Sequence, residues 1–290
     1  MKGRIMYGLV VIVIASVVVL NILPDASFAD MNNPTYVLLV NGFHDPGNGQ
    51  WMMGVNIYSQ LVNAGFVVGI VSFYLGPFVI NLSNGLQITN NSYYGTNNTP
   101  IENISYQLYL GIENLTEIYG NINMDIVGYS MGGLVVSYML ENYQLPVNLE
   151  NVIFIGTPFG GTPYAEVVSF LQGMGMLKNY GYQVKEMSPG SNFINNLQQN
   201  EQNITNNYPD TVIITYAGDS TPWWADVLFH GIQDDGVVTI QSATDFYHNY
   251  QYVFHALHTI TIVNYTWGDY SYFQDQNVAN TLINNLEGNY

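Results

Sequence analysis

One stretch, residues 124–136, constrains the fold of this 290-residue chain more than any other. It begins with a short apolar run, continues with Gly-Tyr-Ser-Met-Gly, and ends in an apolar segment with helical spacing. This order predicts a buried strand, a very tight turn and a helix, with Ser130 on the turn. Gly128 and Gly132 lack side chains, so the strand and the helix can approach closely around a strained serine.

A serine on such a turn is a candidate nucleophile. The Gly-x-Ser-x-Gly pattern alone also fits an ordinary glycine-rich turn, so its function depends on partners elsewhere in the chain. A serine hydroxyl needs a base within hydrogen-bond reach, and the base needs an acid that orients it. The amide of Met131, at the start of the predicted helix, is placed to donate to a developing oxyanion.

Predicted strands and helices alternate along most of the chain. Continuous apolar runs predict buried strands, and apolar residues spaced by three and four predict helices. This alternation is typical of an α/β fold with a mostly parallel, doubly wound sheet and helices on both faces. The strands are expected at 35–40, 66–73, 124–129, 151–156, 211–217 and 250–256, and the main helices at 51–63, 101–118, 131–142 and 278–286.

Two segments interrupt this alternation. Residues 76–100 are rich in Asn, Gly, Tyr and Pro and predict a long loop. Residues 163–208 contain no clean strand, and short helices at 164–171 and 192–199 predict a cap, with a lid expected within 162–210. The chain shows no internal repeat and no linker, so residues 30–290 are expected to form one domain.

Polar residues follow several of the predicted strands. Asn41 to Asp45, Ser130, Thr157 to Gly161, Asp219 and His258 each come just after a strand. In parallel sheets the binding site lies outside the carboxyl ends of the strands. We therefore expect these residues to share one rim of the sheet.

Two histidines and two aspartates compete as partners of Ser130. His258 lies just past the last predicted strand, where a base can reach over the sheet edge. It is favoured over His255, whose place inside the apolar run also fits a hydrogen-bonded core histidine. Asp235, in an Asp-Gly turn before a short apolar run, competes with Asp219 as the acid. Either aspartate gives the chain order Ser, Asp, His, so the order does not separate them.

The composition excludes one class of partner and several kinds of chemical site. Lys and Arg total 4 against 21 Asp and Glu, a formal net charge of −17, so nucleic acid is not an expected partner. Cys is absent, which excludes disulfides, thiolate metal sites and a cysteine nucleophile. So few charges of either sign suit an acidic habitat, where carboxylates are largely protonated, and equally suit a compositional bias of exported proteins.

The N-terminal segment predicts export. Two basic residues precede an apolar run over 5–23, and Ser27 and Ala29 supply small residues before a cut ahead of Asp30. We expect residues 1–29 to be a signal peptide and the protein to be secreted, with a retained membrane anchor as the alternative. Sequons for N-glycosylation, expected on surface loops, occur at Asn81, Asn90, Asn97, Asn103, Asn114, Asn203 and Asn264.

Four segments together resemble the α/β-hydrolase superfamily, and within it the bacterial-type triacylglycerol lipases and related esterases. They span residues 36 to 260 in the order of that family, and the set is much more specific than any one member. The segments are Val-Leu-Leu-Val-Asn-Gly-Phe at 37–43, Val-Gly-Tyr-Ser-Met-Gly-Gly at 127–133, Phe-Ile-Gly-Thr-Pro-Phe-Gly-Gly-Thr at 154–162, and Asp-Gly-Val-Val at 235–238 with His258 after it.

The resemblance implies an α/β-hydrolase fold with a cap or lid insertion, and a role for each matched residue. Ser130 would be the nucleophile, His258 the base and Asp235 the acid. The backbone amides of Phe43 and Met131 would form the oxyanion hole.

The implied activity is that of a secreted serine carboxylic-ester hydrolase, a lipase or esterase. Asn41 and Phe159 stand where similar lipases usually have histidine, which affects the expected substrate class more than the mechanism. The alternatives are an acyltransferase, polyester depolymerase or peptidase with the same triad, or a non-catalytic glycoprotein of the cell envelope. The substrate would be a small-molecule or lipid ester, a membrane or lipid surface is a compatible contact, and no cofactor or metal is required. Candidates to line the pocket are His44, Phe170, Met174, Met176, Trp223, Trp224 and Phe229, and for the last six the alternative is an ordinary place in the core.

Overall fold

The structure is a computed structural model that describes residues 34–43, 45, 47, 49–165, 168, 181–221, 231–258 and 270–290. Several predictions fall outside these residues. They are the signal peptide at 1–29, the sequon at Asn264, most of the helix expected at 164–171, and all seven residues expected to line the pocket.

Within the described chain, an eight-stranded sheet forms the centre of the fold. Its parallel part confirms the predicted strands and the mostly parallel sheet, and within the described sheet only the two strand pairings at one edge are antiparallel. In spatial order the strands are β4 (Gln87–Asn90), β3 (Phe78–Leu82), β2 (Val67–Ser72), β1 (Tyr36–Val40), β5 (Asn123–Tyr129), β6 (Asn148–Ile155), β7 (Val212–Gly218) and β8 (Tyr250–Phe254).

The prediction of a loop over 76–100 is wrong for its first half. Residues 78–90 form the antiparallel hairpin of β3 and β4, which extends the sheet beyond β2. Phe78, Ile80 and Leu82 are buried while Asn81 is exposed, the alternation expected of a strand with one face on the core. Neighbouring Asn and Gly residues obscured this alternation in the sequence.

Helices cover both faces of the sheet, as predicted. One apolar core, on one face of the sheet, includes Ile104 and Leu134. The other, on the opposite face, includes Leu61 and Leu282. The predicted helix over 51–63 is split into a 3₁₀ turn, Gln50–Met52, and an α-helix. The helices are α1 (Ile57–Asn63), α2 (Ile101–Tyr119), α3 (Met131–Asn142), α4 (Gly181–Glu186), α5 (Asn192–Asn200), α6 (Gln202–Asn207), α7 (Ile240–Thr244) and α8 (Gln276–Leu286).

A helical segment lies between β6 and β7, where the cap was predicted. It contains α4, α5 and α6, and α5 matches the helix expected at 192–199. α4 and α6 were not predicted, because each spans only 6 residues and shows too few turns for a clear apolar period.

The predicted strand over 250–256 is too long. β8 ends at Phe254, and the chain then leaves the main sheet. Ala256–Leu257 (β9) pairs instead with Tyr270–Ser271 (β10) in a separate two-stranded sheet. Ala256 is fully buried, as its place in an apolar run indicated. The run does not indicate which of the two sheets the residue joins. His258 follows β9 directly.

The described sequons lie mostly within secondary structure, which corrects their expected place on loops. Asn81 and Asn90 are in the β3–β4 hairpin, Asn103 and Asn114 are in α2, and Asn203 is in α6. Asn97 alone among the described sequons lies between elements. Over the part of the chain that the structure describes, no helix is both long and apolar enough to cross a bilayer.

Candidate functional site

Ser130 occupies the strained turn between β5 and α3. Its backbone has φ 53° and ψ −127°, a left-handed conformation that a non-glycine residue adopts only when its surroundings enforce it. The Ser130 amide donates to the carbonyl of Ile155 at 2.9 Å, and the Gly133 amide donates to the Ser130 carbonyl at 3.0 Å. A Cβ added to Gly132 would lie 2.4 Å from the carbonyl oxygen of Val40, so only glycine fits there.

His258 joins Ser130 to Asp235. Its Nε2 lies 2.8 Å from Ser130 Oγ, and its Nδ1 lies 2.7 Å from Asp235 Oδ2. The His258 and Asp235 side chains are 5% and 1% exposed, which removes the aspartate–histidine contact from competition with water. The three side chains therefore form a continuous hydrogen-bonded chain at the carboxyl edge of the sheet.

Further hydrogen bonds fix the Asp235 carboxylate. Oδ1 accepts from the amides of Val237 at 3.0 Å and Val238 at 2.7 Å. Oδ2 accepts from the Tyr272 hydroxyl at 3.0 Å as well as from the histidine. Burial raises the pKa of Tyr272 well above its ordinary value, and the Asp235 charge adds to this, so the phenol remains a donor. Donors on both oxygens hold the carboxylate in one orientation beside His258.

A second tyrosine positions the histidine. The Tyr129 hydroxyl donates to the His258 carbonyl at 2.6 Å, and the His258 amide donates to the Asp235 carbonyl at 2.8 Å. The Tyr129 and His258 rings lie 5.1 Å apart between centroids. Sequence reasoning missed Tyr129 and Tyr272, since neither belongs to the Ser, Asp and His types that the chemistry requires.

The competing residues pair with each other on the surface. His255 Nδ1 lies 3.0 Å from Asp219 Oδ1, with side chains that are 70% and 33% exposed. The interpretation of His255 as a core histidine is therefore wrong. Of the candidates that the sequence left open, His258 and Asp235 are the ones linked to Ser130, because Ser130 is hydrogen-bonded to His258 and His258 to Asp235.

The two residues expected to form an oxyanion hole lie on the two sides of Ser130. Met131 is the first residue of α3, whose first amides have no acceptor within the helix. Phe43 lies in the loop after β1 and lines the same pocket as Ser130. A Cβ added to Gly42, its neighbour, would lie 3.0 Å from Ser130 Cβ, which shows how closely this loop approaches the serine.

An open pocket lies over the serine. Its wall is mainly apolar, and no Asp, Glu, Lys or Arg contributes to it from the described chain. This makes the pocket suitable for an uncharged, largely apolar group. The lining residues are Phe43, Gln50, Tyr129, Ser130, Pro158, Thr162, Tyr164, Ala165, Val184, Met187, Val237, Val238 and His258.

Buried polar side chains of α4 hold this part of the cap in place. Gln183 donates to the carbonyls of Thr96 at 3.1 Å and Thr99 at 2.7 Å, and accepts from the Tyr74 hydroxyl. Glu186 accepts from the amide of Ile101 at 3.1 Å, at the start of α2. These contacts fix the helix that supplies Val184 to the pocket wall and is followed directly by Met187, another lining residue.

Three buried carboxyl groups lie away from the pocket lining. Burial raises the pKa of Asp125 to about 7, that of Glu186 to about 8, and that of Glu141 to about 9. They are dispersed over the fold. Among the described residues, no three His, Asp or Glu side chains come together in a way that could hold a metal ion.

Comparison with known proteins places the chain among hydrolases. Residues 94–289 match the model of a family described as "Alpha/beta hydrolase of unknown function (DUF915)". No curated protein sequence matches the chain.

Several solved structures share the fold. The mature lipase BlEst2 of Bacillus licheniformis is 17% identical, with 91% of this chain and 95% of that chain covered and a TM-score of 0.53. The lin2722 product of Listeria innocua is 18% identical, with 88% and 94% covered and a TM-score of 0.51. Phospholipase PlaB of Legionella pneumophila is 12% identical, with 73% and 46% covered and a TM-score of 0.51. At these identities the likeness shows the fold alone.

Proposed function

The chain belongs to this family of alpha/beta hydrolases, and from that premise we propose that it hydrolyses carboxylic esters through Ser130. The observation that carries the proposal is the hydrogen-bonded chain from Asp235 through His258 to Ser130, with contacts of 2.7 and 2.8 Å at the floor of an apolar pocket. A base in contact with a serine and an acid in contact with the base are what a serine nucleophile needs.

The proposed reaction proceeds in two stages. Ser130 Oγ attacks the ester carbonyl carbon while His258 Nε2 takes the hydroxyl proton, and the amides of Phe43 and Met131 donate to the oxyanion. The bond to the alcohol oxygen then breaks, and His258 returns the proton to that oxygen. Water attacks the acyl-enzyme in the second stage, giving one proton to His258, which passes it to Ser130 as the acid leaves.

The pocket supports an ester as the substrate. An uncharged wall favours an uncharged acyl or alcohol group over a charged one, because a buried charge without a partner is costly. The names of two similar structures, a lipase and a phospholipase, agree with ester chemistry. The pocket opens to solvent, so water can reach an acyl-enzyme.

Two serine variants test the proposal. Ser130→Ala is expected to lower kcat/KM for p-nitrophenyl esters by at least about 10³-fold. Ser137→Ala is the matched control, since Ser137 is a buried serine of the same helix that donates to the Gly133 carbonyl at 2.8 Å. Equal activity of Ser130→Ala and the wild-type protein, or no hydrolysis by the wild type at any pH, would refute the proposal. Short and long acyl chains, with and without an added alcohol, separate hydrolysis from acyl transfer.

We also propose that residues 1–29 direct export and are removed. The charged start, apolar run and small residues before Asp30 support this. N-terminal sequencing of the protein from its own cells is expected to begin at Asp30. A protein that begins at Met1 and remains with the membrane would point to an anchor instead.

A further inference from the structure

Gln50 carries an unsatisfied polar atom at the pocket. Gln50 begins the 3₁₀ turn after β1 and lines the pocket together with Ser130 and His258. Its Oε1 is buried and has no hydrogen-bond partner among the described residues. Leaving a buried acceptor unpaired is unfavourable, so such an atom in a pocket wall marks a place where a ligand can gain a hydrogen bond.

The backbone around Gln50 is held firmly. Asp45 Oδ1 accepts from the amide of Gly47 at 2.9 Å, and the Gln50 amide also donates to this carboxylate. The next residue, Trp51, is 1% exposed and packs edge-to-face against Phe273 at 5.1 Å between ring centroids. Because both sides of Gln50 are anchored, its side chain remains at the pocket wall.

The amide end of the side chain is free to turn. The terminal torsion of glutamine has a broad energy profile, so the Oε1 can be presented to the pocket without breaking a hydrogen bond in the described structure. A hydroxyl suits this group well, since it can donate to the amide oxygen or accept from the amide nitrogen. The hydroxyls of Tyr129 and Thr162, which also line the wall, already donate to the carbonyls of His258 and Val237. Tyr164 adds a third hydroxyl, whereas Pro158, Ala165 and Val184 offer a substrate hydroxyl no side-chain partner.

We propose that Gln50 is a specificity-determining residue that hydrogen-bonds a free hydroxyl on the acyl or the alcohol part of the ester. The preferred substrates are then hydroxylated esters rather than purely aliphatic ones. This inference rests on the proposed ester hydrolysis at Ser130. It adds a substrate class that neither the family nor the fold specifies.

Matched pairs of esters test this preference. One pair is ethyl butyrate and ethyl 3-hydroxybutyrate, which differ on the acyl side, and the other is ethyl butyrate and 2-hydroxyethyl butyrate, which differ on the alcohol side. For each pair, the kcat/KM of the hydroxylated ester is divided by that of the plain ester. If Gln50 binds the hydroxyl on the acyl part, this ratio is expected to fall about tenfold in Gln50→Met for the first pair, and if it binds the hydroxyl on the alcohol part, for the second pair. Gln241→Met is the control, because Gln241 is exposed on α7 and does not line the pocket.

The possible outcomes separate the two proposals. If the ratio is the same in the wild type, Gln50→Met and Gln241→Met for both pairs, ester hydrolysis stands and the role of Gln50 is refuted. If the wild type hydrolyses p-nitrophenyl esters but none of these three esters, the inference fails alone. If it hydrolyses neither kind, the proposed function fails and the inference fails with it. Gln50→Asn, which keeps the amide on a shorter stem, replaces Gln50→Met if that variant does not fold, and is also expected to lower the ratio.

Discussion

Glu141 makes the stability of this protein depend on pH in a direction that can be measured. It lies in α3, is 4% exposed, and its Oε1 has no hydrogen-bond partner among the described residues. Burial raises the pKa of its carboxyl group from 4.5 to about 9, and the charge of Glu201 adds to this. Below pH 4.5 the group is protonated in both the folded and the unfolded chain, so it carries no electrostatic penalty. Above that pH the unfolded chain ionises first, and folding becomes less favourable until the pH reaches about 9.

The size of this effect follows from the pKa values. Each pH unit over which Glu141 is ionised only in the unfolded chain lowers the free energy of unfolding by about 1.4 kcal/mol. At pH 7, therefore, Glu141 lowers the free energy of unfolding of the wild-type protein by about 3 kcal/mol. Glu141→Gln removes the ionisation and therefore the loss. The glutamine amide has its own burial cost, but that cost does not change with pH. The stability difference between variant and wild type should therefore shift by about 3 kcal/mol in favour of Glu141→Gln between pH 4 and pH 7.

Urea unfolding at pH 4, 5, 6 and 7 measures this shift. Glu117→Gln, at an exposed position of α2, is the matched control, and its difference from the wild type is expected to stay nearly constant. A Glu141→Gln difference that does not change with pH would contradict a raised pKa of Glu141 in the folded protein. Burial raises the pKa values of Asp125 and Glu186 in the same direction as that of Glu141. The wild-type protein should therefore be more stable at pH 5 than at pH 7. This behaviour suits the acidic habitat that the composition suggested.

Three further substitutions test the site. Asp235→Asn, which keeps the shape but removes the charge beside His258, should lower kcat/KM by about 10³-fold or more. Tyr272→Phe removes one donor to the Asp235 carboxylate and should lower kcat about tenfold, whereas an unchanged kcat would deny it a positioning role. His255→Asn should leave kcat/KM within about twofold of the wild type, because its pair with Asp219 is exposed, and a large loss would restore His255 as a candidate base.

The serine turn was predictable because its signal is local. An apolar run, two glycines around Ser130 and an apolar helical segment all lie within 13 residues, and the structure has β5, the strained turn and α3 at those positions. The same holds for most strands of the parallel sheet. Their continuous apolar runs directly reflect burial on both faces.

Which of His258 and His255 contacts Ser130 was less predictable than the serine turn. The two residues are three positions apart, and both follow apolar residues. What separates them is the departure of the chain from β8 into β9, which leaves His255 in solvent and buries His258. That departure depends on pairing with β10, a contact between segments distant in the sequence.

The remaining misses have a similar cause. The β3–β4 hairpin has a strand period, but its Asn and Gly residues favour loops and hid it. Tyr272 reaches Asp235 across 37 residues of chain, and Gln50 reaches the pocket through a loop anchored by Asp45. Such contacts are set by tertiary structure, which local propensities do not contain.

The most direct test of the central claim is covalent labelling of the intact protein with a serine-reactive fluorophosphonate, followed by peptide mapping by mass spectrometry. One adduct is expected, on Ser130, and it should be absent in Ser130→Ala and form far more slowly in His258→Ala. Labelling of a different residue, or no labelling of the folded wild-type protein, would contradict it.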